Sequence, residues 1–423
     1  MLHYPDTYYS RTLADSRARP VLTGTLQADC LIVGGGFAGL FTALALARAG
    51  MRVAVIESQS VGFGASGRNG GFVSDGFASG DAAIRRRVGD AHADALQALS
   101  AEGVEIMRSA IRDLAIPGAD PVDGILRLRR FDRSADLKAV ATADCPYLDG
   151  AAIRQRVIST RYLHGLEERV GFHIHPLNVL RGLAAEIERL GGQIFEGSAV
   201  TGADLAGPVK VLTTAQGRAE APRVVFAMGG YTTPLVPRLR RAILPIATYV
   251  MMSQTAPELL ATAIQTRMGI GDDRRASDYY RLVEGGQRLL WGGRITTRAA
   301  DTPGITRQLR AEMLGAYPQL AGLRTELAWS GLMAYARHRM PQIGTLAPNV
   351  WHVTGFGGHG LNTTAIGGTV TAEAILGTSD RIALFAPYGL DWAGGAAGLA
   401  AAQGTYWALR VQDWWRERAA RRA

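Results

Sequence analysis

Two cysteines in 423 residues are too few for a disulfide framework. Cys30 and Cys145 also cannot supply a four-cysteine metal or iron–sulfur site, so no metal centre is expected. They suit a reducing compartment. No uninterrupted apolar leader precedes the first glycine-rich segment, so a cytoplasmic location is the expectation. No run reaches the roughly 18 apolar residues of a membrane-spanning helix. The net charge of +9 comes mainly from Arg, but the basic residues are spread along the chain and no zinc-finger spacing occurs. Nucleic acid is therefore not an expected partner.

What is abundant is glycine, 52 residues, on a background that is 47% hydrophobic. The length predicts two domains. The segment DCLIVGGGFAGLFTALALARAGMRVAVIE, from Asp29 to Glu57, organises the chain. Leu31, Ile32 and Val33 form an apolar run suited to a buried parallel strand. Gly34, Gly36 and Gly39 follow with G-x-G-x-x-G spacing, then a helical stretch from Phe37, Ala38 onward to Ala49. A second apolar strand, Val53 to Ile56, ends in Glu57 and Ser58.

Gly34 permits the tight turn, Gly36 leaves room for a pyrophosphate, and Gly39 lets helix and strand approach closely. The helix N-terminus offers N–H groups to phosphate, and Glu57 can accept from both ribose hydroxyls. A bound dinucleotide is predicted. The acid argues against a 2′-phosphate, leaving FAD or NAD.

Val61 to Gly76 holds Gly62, Gly64, Gly67 and Gly70 close together, which predicts an irregular loop. Ala91–Arg112, Ile174–Leu190 and Thr306–Tyr317 read as helices. Gly124–Arg130 alternates as a strand with one wet face, and Tyr279–Gly292 reads as a hairpin turning at Gly285 and Gly286. Val224–Gly230 and Asn349–Gly377 each return to an apolar strand opening into a glycine turn. The first 26 residues read as an irregular arm packed through tyrosines. The last segment reads as an amphipathic helix with Trp407, Trp414 and Trp415, expected to pack on the body or a subunit partner ahead of a membrane surface.

The ordered set ADCLIVGGGFAGL, GFGASGRNGGFV (Gly62 to Val73), HPLNVLRGLA (His175 to Ala184), AMGGYT, WSGLMA (Trp329 to Ala334), PQIG and GFGGHG (Gly355 to Gly360) resembles the D-amino-acid oxidase superfamily of FAD-dependent oxidoreductases. The resemblance spans nearly the whole chain and is closer to the gamma-glutamylputrescine oxidase branch, with sarcosine and glycine oxidases as cousins. It implies an α/β protein: a Rossmann-like FAD-binding domain with a second, mixed α+β substrate domain built mainly on an antiparallel sheet. The implied division is 1–90, 161–240 and 336–423 for the FAD-binding domain, the first with the arm and the last with the C-terminal helix. Residues 91–160 and 241–335 then form the substrate domain.

The resemblance also implies site residues. Ser66, Gly67, Arg68, Asn69, Gly70 and Gly71 would run beside the flavin and its phosphate arm. Val200 would lie near the adenine, and Gly229 and Gly230 along the ADP portion. Gly357, Gly358, His359, Gly360 and Leu361 would meet the pyrimidine edge, where N–H groups and a helix dipole favour negative charge. Neither Cys30 nor Cys145 stands where relatives attach a flavin covalently, so noncovalent FAD is expected.

The implied reaction is C–N bond oxidation of a small-molecule amine or amino acid by hydride transfer to flavin N5. An imine forms and hydrolyses, and molecular oxygen accepts the electrons to give hydrogen peroxide. A dehydrogenase using a quinone or carrier is the alternative. His359 is the foremost titratable candidate. Tyr279, Tyr280, Arg281, Trp291 and Trp329 are candidates for the substrate wall, with Arg281 or Arg337 as a carboxylate clamp. Strand alternation leaves open whether Tyr280 or Arg281 faces inward. Relatives carry Thr and Asp where Ala336 and His338 stand, so the exact substrate does not transfer. Assembly as a homo-oligomer is compatible with the sequence.

Overall fold

The computed structural model describes residues 4–274, 278–297 and 303–420. Three sheets organise it. The first has six strands in the order Gln342–Ala347, Val350–Thr354, Val224–Phe226, Cys30–Val33, Val53–Ile56, Gln193–Phe195. Five run parallel and Gln342–Ala347 is an antiparallel edge. Cys30–Val33 and Val53–Ile56 are buried on both faces, as their continuous apolar sequences require.

Helices Phe37–Arg48 and Leu361–Leu376 pack against each other on one face. A Cβ at Gly368 would stand 2.8 Å from the Ala38 carbonyl oxygen, so glycine allows that close crossing. On the opposite face lies a four-stranded sheet ordered Gly24–Gln27, Gly217–Ala221, Lys210–Thr213, Gly202–Asp204, joined through Leu31, Phe226, Leu212 and Ala219. Gly24–Gln27 begins within the arm read as irregular. Its side chains are mostly exposed, so no apolar pattern marks it.

The large mixed sheet has nine strands and is mainly antiparallel. Its longest strands are Val122–Arg129, His164–His173, Leu244–Ser253, Arg288–Thr296 and Thr325–Tyr335. One face carries its own core with the helix Pro303–Ala316. There Tyr280 stacks on Trp291 at 4.0 Å, and both meet Tyr317 edge-on. Each fully buried aromatic of this size stabilises the fold by about 3 kcal/mol. The other face covers the site. His164–His173 belongs to this sheet, so the expected boundary at residue 160 differs from the sheet membership. Its Glu-Glu-Arg run hides the strand pattern.

The helix Gly395–Ala420 packs through Tyr406 and Asp413, while Trp407, Trp414 and Trp415 are exposed. The helix therefore packs on the body through one stripe, and its tryptophans lie on the remaining surface. Among the described residues no helix is long and apolar enough to cross a membrane.

Candidate active site

The parallel strands end at a cavity of about 640 Å³. Gly34 follows the first strand, Glu57 the second, Ala227 the Val224–Phe226 strand and Phe356 the Val350–Thr354 strand, and all four line it. This is the carboxyl edge of a parallel sheet, where such folds bind ligands.

Gly34 adopts φ +112°, and a Cβ there would lie 2.6 Å from the Ala227 carbonyl oxygen. A Cβ at Gly39 would come within 2.1 Å of the Gly34 oxygen. At Gly36 it would meet Ser66 Oγ at 2.9 Å. Ser66 Oγ accepts from the Phe37 N–H at 3.2 Å, fixing the loop to the helix N-terminus. Glu57 Oε2 accepts from Gly35 N at 2.7 Å, and Oε1 accepts from Gln59 N at 2.9 Å and Ser58 Oγ at 3.1 Å. Burial raises the Glu57 pKa above its ordinary value, opposed by these hydrogen bonds.

The glycine loop is stapled by Asn69. Its Nδ2 donates to Ala65 O and Ser66 O, and its Oδ1 accepts from Gly71 N at 2.7 Å. Tyr9 of the N-terminal arm donates to Asn69 O at 2.7 Å. Arg68 donates to Ser330 O at 3.0 Å and bonds the Tyr231 hydroxyl, with its guanidinium 4.9 Å from the Phe63 ring centre. Ser66, Arg68, Asn69, Gly70 and Gly71 line the cavity, whereas Gly67 packs on Gly62 beneath them.

Across the cavity, Gly357 takes φ +62° and donates to Ala334 O at 2.7 Å. Gly358, His359, Gly360 and Leu361 continue the wall. No side chain caps the helix that begins at Leu361, so its first-turn N–H groups remain available to an anion. His359 Nε2 lies 3.0 Å from Ser74 O. Burial, and secondarily Arg127, lower its pKa, so the imidazole is neutral at pH 7 and donates through Nε2.

Ser58, Val200, Gly229 and Gly230 also line the cavity; Ala38 and Gly39 lie behind it in the helix. The proposed second-domain contacts are placed differently. Tyr280 is fully buried and its hydroxyl bonds those of Tyr162 and Tyr317 at 3.1 and 2.8 Å. Arg281 faces the other way but is held under the glycine loop by His173, Tyr9 and Ile174 O. Trp329 is buried and donates to Arg68 O at 2.9 Å, positioning that residue from behind. Arg337 is exposed and off the lining.

Of the candidates for that wall, Tyr279 borders the cavity while Trp291 is buried in the core beneath Tyr280, and Tyr335 and Arg127 line the cavity beside Tyr279. Burial pushes the Tyr279 pKa up to about 12, opposed by a hydrogen bond with Thr248, and burial also raises that of Tyr335. Arg127 donates to Glu168 Oε2 at 2.9 Å and to Ser74 Oγ at 2.9 Å. Arg127 sits on the strand face that alternation marks as wet; that face borders the cavity. Its position opposite Leu126 and Leu128 was the available signal.

The glycine cradle, the acid at the second strand's end and the uncapped helix fit a dinucleotide with a second charged or polar group opposite it. Among the described residues no cluster of three His, Cys, Asp or Glu is placed for a metal. Fold and site thus define a dinucleotide-dependent enzyme. The family model described as FAD dependent oxidoreductase (DAO) matches residues 29–374. Gamma-glutamylputrescine oxidoreductase of Escherichia coli (strain K12) is 33% identical over 395 residues, covering 91% of this chain and 92% of that one. Glycine oxidases of Geobacillus kaustophilus and Bacillus cereus share the fold, with TM-scores of 0.72 and 0.70 at 19% and 20% identity. These alignments cover 86% and 84% of this chain, and 99% and 97% of the respective oxidases. The chain belongs to the DAO family of FAD-dependent oxidoreductases, and FAD is its cofactor.

Proposed function

We propose that the protein oxidises the C–N bond of a small amine or amino acid, with molecular oxygen as electron acceptor and hydrogen peroxide as a product. The other product is an imine that hydrolyses to an aldehyde or keto acid. FAD, held noncovalently, supplies the hydride acceptor when bound. Cys30 is buried in a strand and Cys145 is absent from the cavity lining, which supports noncovalent attachment. The free thiols also support a cytoplasmic setting.

In this reading Glu57 accepts from the ribose hydroxyls, with Ser58 and Val200 beside it. Gly34, Gly36 and Phe37 border the pyrophosphate on the helix that Ala38 and Gly39 let pack closely. Gly229 and Gly230 flank the ADP portion. Ser66 to Gly71 and Gly357 to Leu361 border the flavin. Arg127 is a cation on the substrate wall, and neutral His359 donates a hydrogen bond without adding charge there. Tyr279 and Tyr335 remain protonated and exclude water with their rings.

One observation carries this reading: a single cavity is lined by the glycine cradle and by Arg127, Tyr279, Tyr335 and His359. The name of the 33% identical relative supports an amine as substrate. Exposure of three tryptophans on a basic helix favours a second reading, a dehydrogenase delivering electrons to a membrane quinone. Purified enzyme in aerated buffer, supplied with gamma-glutamylputrescine, putrescine, N-methyl amino acids and D-amino acids, separates the two. Peroxide formed in step with amine loss supports the oxidase. Amine loss only when a quinone is added selects the dehydrogenase.

A further inference from the structure

The C-terminal helix Gly395–Ala420 sorts its side chains by chemistry. At about 100° per residue, Tyr406, Asp413 and Glu417 fall on one stripe, Trp407, Val411, Trp414 and Arg418 on a second about 110° round the helix from it, and Trp415 directly opposite the first. The first stripe faces the body. Tyr406 and Asp413 are 9% and 7% exposed, and Glu417 accepts from Arg130 Nη1 at 2.7 Å and Arg161 Nη2 at 3.0 Å. These are the helix's only acidic residues, so every negative charge points inward.

The surface away from the body is apolar and basic. Trp407 and Trp415 are each 60% exposed, Val411 56% and Trp414 50%. Trp414 and Trp415 meet edge-on at 5.0 Å, and the Arg418 guanidinium lies 5.1 Å from the Trp414 ring centre. Arg410 and Arg416 are exposed on the same helix. Just before it, Ala393 N donates to Arg241 O at 2.9 Å, joining the helix to Pro237–Arg241, where Arg238, Arg240 and Arg241 are exposed.

Three tryptophans facing water form a patch that calls for a partner. Tryptophan favours the boundary between hydrocarbon and headgroups, and arginine favours anionic headgroups. A second copy offering the same stripe would set arginine against arginine with no carboxylate to pair them. We propose that this face docks on an anionic lipid bilayer, with the tryptophans in the headgroup boundary and the helix lying along the surface. The ion pairs of Glu417 with Arg130 and Arg161 hold the helix to the body, so docking leaves the fold intact.

The test is co-sedimentation of the full-length holoenzyme with vesicles of phosphatidylcholine alone and of phosphatidylcholine with phosphatidylglycerol in equal parts. The proposal expects binding to the mixed vesicles, a blue shift of tryptophan emission, and weakening by salt. It expects a loss of about tenfold or more in the triple variant W407S/W414S/W415S, with flavin content and amine oxidation unchanged. Absence of binding to mixed vesicles, or equal binding by the triple variant, overturns it. So does a native dimer that the triple variant converts to monomer without any vesicle binding, because the covering partner is then a second copy.

Discussion

His359 Nε2 and the Ser74 carbonyl oxygen, 3.0 Å apart, tie the turn before one cofactor-facing helix to the end of the glycine loop. Arg127 reaches the same serine through its Oγ at 2.9 Å. One residue thus sets both a neutral donor and a cation on the cavity wall. Replacing His359 with Ala should lower kcat/KM by roughly ten- to a hundredfold while FAD is retained. Because the His359 pKa lies below its ordinary value, the wild-type rate should show no step from this group above pH 7. Steady-state pH profiles of both proteins check this.

Glu57→Gln keeps the shape but removes the charge proposed to meet the ribose hydroxyls. FAD affinity should fall by roughly ten- to a hundredfold, about 1–3 kcal/mol, read by titrating apoprotein with FAD.

Gly39→Ala would force a Cβ to within 2.1 Å of backbone at Gly34. Helix and strand must separate, at a cost of about 3 kcal/mol. Thermal unfolding of the apoprotein should shift down, and flavin content after purification should drop.

Tyr280→Phe removes the hydroxyl that joins Tyr162 and Tyr317. Stability should fall by about 1–2 kcal/mol with kcat unchanged. Denaturant unfolding and turnover, measured together, distinguish this core role from a place in the substrate wall.

His173 and His175 are buried with pKa values held down to about 3, and His352 to about 4. Their unfolded values lie near 6.5. The unfolded chain therefore binds more protons between about pH 4 and 6.5, so stability is complete above 6.5 and falls as pH drops. At pH 5 each histidine accounts for about 2 kcal/mol of loss. Urea unfolding across that range measures it, and His352→Gln should flatten the slope.

The dinucleotide unit was legible because strand, turn, helix and acid are adjacent in sequence and each obeys a local rule. The same holds for the turn at Gly357 and the helix after it. Arg127 was not legible as part of the site, because its wet strand face looks alike whether it borders solvent or a cavity. Tyr280 and Arg281 were hard for a related reason. Alternation gives opposite faces, but only the sheet's neighbours decide that one face meets helix Pro303–Ala316 and the other the glycine loop. The strand His164–His173 was hidden by charges that find partners in the fold: Glu168 pairs across the sheet with Arg127, and Glu167 with Arg156 in the turn after Gly150–Arg154.

The most direct test of the central claim is the visible spectrum of the purified protein in air-free buffer before and after adding the amine panel. The account predicts flavin bands near ~370 and ~450 nm that bleach rapidly with at least one amine. A flavin that no amine in the panel reduces, or a protein that binds no FAD even when it is added back, would contradict it.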